Sequence, residues 1–234
     1  MTKVLILRAR DKIKPIQVRG IDIVQIPVIY TVPNEEAINT ISLAGVDYVI
    51  VMSSMVVKYL GDKLKTELGD NTRLIGVGPA TCEAIRGLGL NCEMPSEYSS
   101  YGVVEHMRNM KGGKVVILRS SKGSDYVRTE LSRMGFNVNE YGIYDVMVDP
   151  IASKIACELV DFVDFVVFMS PMTYEAVSNC ARDALSNRVV VAIGRTTAMR
   201  LLRDGIRALA PHEYTQDGVL GLINQLTTSS ESPD

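Results

Sequence analysis

Four junctions between a short apolar run and a helical pattern carry the small polar residues that could bind an anion. Each apolar run is typical of a buried parallel strand, and serine, threonine or glycine follows at the expected start of a helix. Helix N-termini leave backbone N–H groups unpaired and attract phosphates or carboxylates. The junctions, called tips below, are Met52-Ser53-Ser54, Gly78-Pro79-Ala80-Thr81, Met169-Ser170-Pro171 and Gly194-Arg195-Thr196-Thr197.

An arginine also follows a buried run at two matching places. Arg8 lies in KVLILRAR and Arg119 in KVVILRSS, which are offset by 114 − 3 = 111 residues. Each of these features has a simpler explanation when it stands alone. Serine or threonine before a helix is commonly a cap that contributes ~1 kcal/mol, and surface arginines are commonly solvated. The recurrence in symmetric places favours anion sites that would suit a ligand with many carboxylates or phosphates.

The tips belong to a stretch that occurs twice along the chain. VDYVIVMSSMVVKYL is matched by VDFVVFMSPMTYEAV, and MPSEYSSYGVVEHM is matched by APHEYTQDGVLGLI. Asp47 and Asp164 are separated by 164 − 47 = 117 residues, and Gly78 and Gly194 by 194 − 78 = 116. A match that tolerates a single-residue deletion indicates a duplicated α/β unit.

The repeat predicts an α/β fold of two similar parallel-sheet domains, one of which is split between the two ends of the chain. Two similar extended segments, around Tyr30 and Tyr144, predict a two-stranded linker and a site in the cleft between the domains. The polar end of the chain is predicted to be disordered. The predicted bounds are 1–26 plus 151–228, 33–141, the linker 27–32 with 142–150, and the tail 229–234.

The composition and the absence of known motifs exclude several classes of function. With 25 basic and 27 acidic side chains the formal charge is −2, which gives no bulk attraction to nucleic acid or to an anionic membrane. No signal peptide and no run of ~20 apolar residues is present, so we expect a cytoplasmic protein. No P-loop, HExxH or GxSxG motif occurs. We expect neither a metal nor another cofactor, and reduced thiols at Cys82, Cys92, Cys157 and Cys180.

Taken together, the segments resemble the uroporphyrinogen-III synthase family over nearly the whole chain. Each motif is short and degenerate, and it is their order and spacing that is specific. The segments that carry the resemblance are VLILRAR, IPVIY, VMS at 51–53, VGPAT at 77–81, IYDV, FMSP at 168–171 and IGRTTA at 193–198.

The resemblance implies closure of linear hydroxymethylbilane to uroporphyrinogen III with inversion of ring D, without a cofactor. It implies that Tyr144 assists loss of the terminal hydroxyl, and that Ser53, Thr81, Ser170 and Thr197 contact substrate carboxylates. It further implies a monomer that receives the bilane transiently from hydroxymethylbilane synthase. The chain departs from the family's RG…GR pattern, since Ser120 and Ser124 follow Arg119; Lys122 or Arg128 are alternative contacts.

Other functions stay open at this stage. A two-lobed cytosolic sensor of an anionic small molecule would share the architecture, and it too would lack a nucleophile–base pair. A sugar or nucleotide transferase would need a glycine-rich phosphate loop and a carboxylate pair, which are missing. Tyr144 could also be a residue of the linker ladder that packs on Tyr30, with no part in catalysis.

Overall fold

A computed structural model of the chain describes residues 1–229, and it divides into two compact units. Unit 1 consists of Met1–Thr31 and the chain from Met147 onward, whereas unit 2 is Val32–Val146. The predicted disordered tail, 229–234, lies outside the described residues apart from Ser229, where the last helix ends.

The described chain alternates between strands and helices, as the sequence predicts for an α/β fold. The strands are β1 (Thr2–Ala9), β2 (Ile21–Pro33), β3 (Tyr48–Val51), β4 (Arg73–Gly76), β5 (Lys114–Ser120), β6 (Asn137–Val148), β7 (Phe165–Phe168) and β8 (Val189–Ala192). The helices are α1 (Glu35–Thr40), α2 (Ser54–Glu67), α3 (Pro79–Gly87), α4 (Ser100–Met107), α5 (Tyr126–Arg133), α6 (Pro150–Leu159), α7 (Pro171–Glu175), α8 (Ser178–Leu185), α9 (Arg195–Arg203) and α10 (Gln216–Ser229).

Both units use the same strand order. In unit 1 the order is β2-β1-β7-β8, and in unit 2 it is β6-β5-β3-β4. The neighbouring strands within each unit are parallel. The strands β1 and β5 therefore occupy equivalent central positions, and the carboxyl ends of all four strands of a unit meet at one edge.

Helices cover both faces of the strands in unit 2, which explains the continuous apolar runs. Val49 and Val51 of β3 pack with α2 residues such as Leu60 in one buried cluster. The alternate residue of β3, Ile50, packs with Val103 of α4 in a second cluster. Because successive strand residues point to opposite faces, a strand buried on both faces needs apolar residues throughout.

The segments around the two tyrosines of the predicted linker are continuous parts of longer strands. The predicted boundary between the first domain and the linker, at residues 26 and 27, falls inside β2, which continues through Pro27 to Pro33. The register of β1 against β2 shifts between Leu7 and Ala9, whose partners are Ile26 and Ile29. A bulge at this point accommodates Pro27, which has no N–H to donate to the ladder.

Several shorter elements connect the strands and helices. The segment after β1 forms only a 3-10 turn, Arg10–Lys12, and Cys92–Met94 contributes an isolated bridge from Glu93 to Ile75 and no strand. The helix after Ser170 breaks into α7 and α8. The predicted helix start at Ser53 is confirmed, since its side chain accepts a backbone N–H of α2. Asn34 and Ser99 cap α1 and α4 in the same way.

The cysteines depart from the expectation of reduced thiols, because the structure pairs them into one disulfide per unit. Cys82 is bonded to Cys92, and Cys157 to Cys180. The first pair comes together because the bridge between Glu93 and Ile75 lays the chain beside α3. The second comes together because α6 packs on α8. Sequence spacing, which showed no CxxC motif, carries no information about such contacts.

Candidate functional site

The two tips of unit 2 lie at the ends of adjacent parallel strands. Val51 of β3 pairs with Gly76 of β4, so the helices that follow these strands begin side by side. Ser53 is the N-cap of α2, and its Oγ accepts the Met55 N–H at 3.2 Å. Ser54 is the first residue of that helix and is partly exposed. Gly78 is the N-cap of α3, which has no capping side chain.

The two tips of unit 1 repeat this arrangement at the ends of β7 and β8, which are also adjacent. Ser170 caps α7 in a reciprocal box, in which its Oγ accepts the Thr173 N–H at 3.3 Å and its own N–H bonds Thr173 Oγ1 at 3.2 Å. Pro171 is the first residue of α7, and Gly194 is the N-cap of α9.

The predicted threonines differ in their access to solvent. Thr81 is 4% exposed and Thr197 is 2% exposed, whereas Thr196 is exposed on the first turn of α9. The hydroxyls of Thr81 and Thr197 are therefore shielded by protein. At these two tips the residue that precedes each buried threonine, Ala80 or Thr196, is exposed.

The arginines predicted from the two KVxILR segments are both buried at the carboxyl ends of central strands. Arg8 is 5% exposed and Arg119 is 9% exposed. In both side chains the Nε atom is buried and has no hydrogen-bond partner among the described residues. Burial lowers the pKa of Arg8, with a smaller opposing effect from Asp11. A buried guanidinium of this kind costs free energy unless a counter-charge or hydrogen bonds compensate it.

A cavity of about 540 Å³ in unit 2 is lined by the carboxyl end of β5, at Ser120, and by the first half of β6, from Val138 to Gly142. Its lining is strongly polar and includes Ser121, Arg128 and Glu140. Arg128 was one of two alternatives for the missing family arginine, and it is the one that lines this cavity. Lys122 is not part of the lining.

Tyr144 lies close to the same edge of unit 2. Its carbonyl oxygen accepts the Ser121 N–H at 2.9 Å, next to the cavity. The residue is 7% exposed, and its ring centroid lies 6.0 Å from that of Tyr59. Tyr30 of unit 1 instead lies under the Arg10 guanidinium, whose Cζ is 4.9 Å from the ring centroid.

Sequence reasoning missed two exposed tyrosines that lie beside the tips. Tyr98 contacts Gly78 and Tyr214 contacts Gly194, at equivalent positions since 214 − 98 = 116. Both lie in the repeated motifs EYSSYG and EYTQDG, so the repeat itself could have identified them. Within residues 1–229, no cluster of three or more potential metal ligands occurs. Over the same range, no helix is long and apolar enough to cross a membrane.

Comparisons with known proteins agree with the resemblance. The sequence model of the HEM4 family, described as uroporphyrinogen-III synthase HemD, matches residues 11–221. A candidate uroporphyrinogen-III synthase of Archaeoglobus fulgidus is 32% identical over 186 residues, which cover 76% of this chain and 78% of that protein.

Solved structures show the same fold. The uroporphyrinogen III synthase of the extremely thermophilic bacterium Thermus thermophilus, in a mutant form, superposes with a TM-score of 0.68 at 19% identity. That match covers 97% of this chain and 100% of the other. The uroporphyrinogen-III synthetase of Helicobacter pylori 26695 gives 0.69 at 14% identity, with the same coverage of both chains.

Proposed function

Since this chain belongs to the uroporphyrinogen-III synthase family, whose members are enzymes of tetrapyrrole biosynthesis, we propose that it closes linear hydroxymethylbilane to uroporphyrinogen III with inversion of ring D. The observation that carries the proposal is the pair of helix N-termini at the ends of adjacent strands in each unit. Four such sites suit a substrate that carries eight carboxylates, because each can bind an anion through backbone N–H groups.

Substrate binding is proposed to be distributed over both units. We propose that first-turn N–H groups at the tips bind carboxylates, with the side chains of Ser53, Ser54 and Thr196 beside them. Arg8 adds positive charge at this edge of unit 1, and Arg119 lies at the equivalent place in unit 2. The remaining proposed contacts, which act through backbone or by shaping the tip, are Gly78, Thr81, Ser170, Pro171, Gly194 and Thr197.

The proposed mechanism needs positioning and electrostatics more than a strong nucleophile. The terminal hydroxyl takes up a proton and leaves as water, which gives an azafulvene. The substituted carbon of ring D then attacks, and the resulting spiro intermediate fragments and closes the other way round. We propose that the Tyr144 phenol donates a hydrogen bond to the departing oxygen. The proposal is supported by the position of Tyr144 in IYDV, one of the segments that resemble the family.

We propose the monomer as the working unit, since one chain carries all four tips. We also propose a transient handover from hydroxymethylbilane synthase. The reason is chemical: the linear bilane closes unaided without inversion, so a short transit limits the loss of substrate to the wrong isomer.

The test is an isomer assay. Hydroxymethylbilane is generated in situ from porphobilinogen, the protein is added, and the oxidised uroporphyrins are separated by chromatography. We expect isomer III in large excess over the spontaneous isomer I. If folded protein is present and only isomer I forms, at the same rate as without protein, the proposal is overturned in favour of a sensor of anionic small molecules.

A further inference from the structure

The two buried arginines occupy equivalent positions but have opposite surroundings. We propose that Arg8, together with Gln216, forms a carboxylate-binding subsite of unit 1, whereas Arg119 is bonded to residues of unit 2 and has a structural role. The inference rests on the proposed function, and it makes the two repeated units unequal in substrate binding. It also names Gln216 as a residue that receives a substrate carboxylate.

The equivalence follows from the strand registers. Arg8 is two residues beyond Ile6, which pairs with Gln25. Arg119 is two residues beyond Ile117, which pairs with Glu140. The diagonal neighbour of each arginine on the adjacent strand is thus a neutral amide, Gln25, in unit 1 and a carboxylate, Glu140, in unit 2.

Arg119 already has protein partners for its charge. Its Nη1 lies 3.8 Å from Glu140 Oε1 and donates a hydrogen bond to the Ser124 carbonyl. The guanidinium also packs against Gly123, where an added Cβ would collide with it. A substrate carboxylate would have to displace Glu140 or be repelled by it.

Arg8 has hydrogen bonds but no counter-charge bonded to it. Its Nη1 donates to Gln25 Oε1 at 2.7 Å and to Gln216 Oε1 at 2.8 Å. Among residues 1–229, Nε is buried without a partner, and no acidic group forms an ion pair with this side chain. The carboxylate of Asp11 attracts Arg8 weakly, but its ion pair, at 3.2 Å, is with Lys12.

An incoming carboxylate would supply what Arg8 lacks. A guanidinium presents its donors as a planar fork that matches two carboxylate oxygens, and charge-assisted bonds of this type are about twice as strong as neutral ones. Gln216 is the first residue of α10, so its amide N–H₂ and the positive end of the helix dipole lie at the same place. The subsite therefore combines a fixed cation, a neutral donor and a helix N-terminus.

The decisive variant is Gln216→Glu, which places a carboxylate on Arg8 without changing the size of the side chain. Glutamate in the first turn of a helix is favourable, so the variant is expected to melt at or above the wild-type temperature. With hydroxymethylbilane as substrate, we expect KM to rise about tenfold, because the internal carboxylate competes with the substrate for the guanidinium. The matched control is Asn224→Glu, which adds the same charge to an exposed position of α10 and should leave KM within about twofold.

A second comparison tests the asymmetry of the units. Glu140→Gln removes the counter-charge of Arg119 and should not raise KM, while Arg8→Gln should raise it by about tenfold or more. Binding of uroporphyrin III, followed by fluorescence, gives a readout without turnover and should weaken in Gln216→Glu and Arg8→Gln alike. An unchanged KM and Kd in both folded variants overturns the subsite. If the wild-type protein itself fails to form isomer III, the proposed function fails; an active wild type with unaffected variants refutes only the subsite.

Discussion

The ring of Tyr214 lies directly against Gly194. A Cβ added to Gly194 would be 2.9 Å from Tyr214 Cγ, and one added to Gly78 would be 3.2 Å from Tyr98 Cβ. The two tyrosines are 61% and 60% exposed. In each unit an exposed tyrosine therefore lies against the glycine that begins a tip helix. A side chain at Gly194 would collide with Tyr214, and one at Gly78 would pack tightly on Tyr98.

This contact predicts that Gly194→Ala disturbs the tip of α9 through Tyr214. The backbone of Gly194 is extended, so alanine meets no conformational strain, and the collision is the only direct cost. Overpacking of this kind costs about 1–3 kcal/mol, which chemical denaturation would measure. The double variant Gly194→Ala/Tyr214→Ala removes the collision and should recover most of the loss. No recovery would contradict the assignment of the cost to this contact.

Two glycines of α10 are expected to respond in opposite directions to substitution by alanine. A Cβ at Gly218 would collide with the carbonyl oxygen of Glu213, whereas a Cβ at Gly221 would meet nothing within 4 Å. We expect Gly218→Ala to lower the free energy of unfolding by about 1–3 kcal/mol. Gly221→Ala should raise it by about 0.5–1 kcal/mol, since alanine favours the helix. Equal effects at the two positions, measured by urea unfolding, would refute the geometry.

The hydrogen bonds of Asp204 make the stability of unit 1 depend on pH. The Tyr174 phenol donates to Asp204 Oδ2 at 2.7 Å, and Arg200 Nη1 donates to the same atom at 3.0 Å. These bonds hold the pKa of Asp204 below its ordinary value of 3.8. Because the pKa of Asp204 is lower in the folded protein, the unfolded chain binds the proton more readily. The stabilisation by ionised Asp204 is therefore present at pH values above the ordinary pKa, and it is lost as the pH falls through the folded pKa.

The Asp204→Asn variant tests this direction of the dependence of stability on pH. It removes the charge but keeps the volume, so it should melt at a lower temperature than the wild type near pH 7. The difference between the two melting temperatures should shrink toward zero as pH falls from about 5 to about 2. A difference that stays constant over this range would show that Asp204 is not ionised in the folded protein or is not held by these bonds.

The local features of the fold could be predicted from the sequence because they depend on neighbours in the chain. Apolar runs such as Val4–Leu7 gave the strands, and Ser53 gave a helix start that the structure confirms. The duplication also predicted the equivalent places of Arg8 and Arg119. What each arginine touches could not be predicted, because Gln216 is 208 residues from Arg8. Only the folded chain brings the two together.

The continuation of β2 through Pro27 also depends on a residue contact that the local sequence does not show. Pro27 disfavours a ladder position locally, but the bulge opposite Leu7 and Ala9 removes that cost. The burial of Thr81 and Thr197 was likewise not visible in their motifs, since each motif identifies a helix start and not the direction in which its residues point. Sequence reasoning therefore located the tips and left open which atoms of each tip can reach a ligand.

Tyr144→Phe is expected to slow formation of isomer III by about 10²-fold, the lower end of what a positioned proton donor contributes. The ring would keep its packing on Tyr59, and the rates are compared at a temperature at which thermal unfolding shows both proteins to be folded. Ser53→Ala is the matched comparison, because it removes one hydroxyl from one of four tips. It should cost ~1 kcal/mol of stability as a lost cap and change turnover by only a few-fold, since the other tips still bind carboxylates. A Phe variant with an undiminished rate would remove the tyrosine from the mechanism. If Ser53→Ala abolished binding, one tip would dominate, and the distributed site would be refuted.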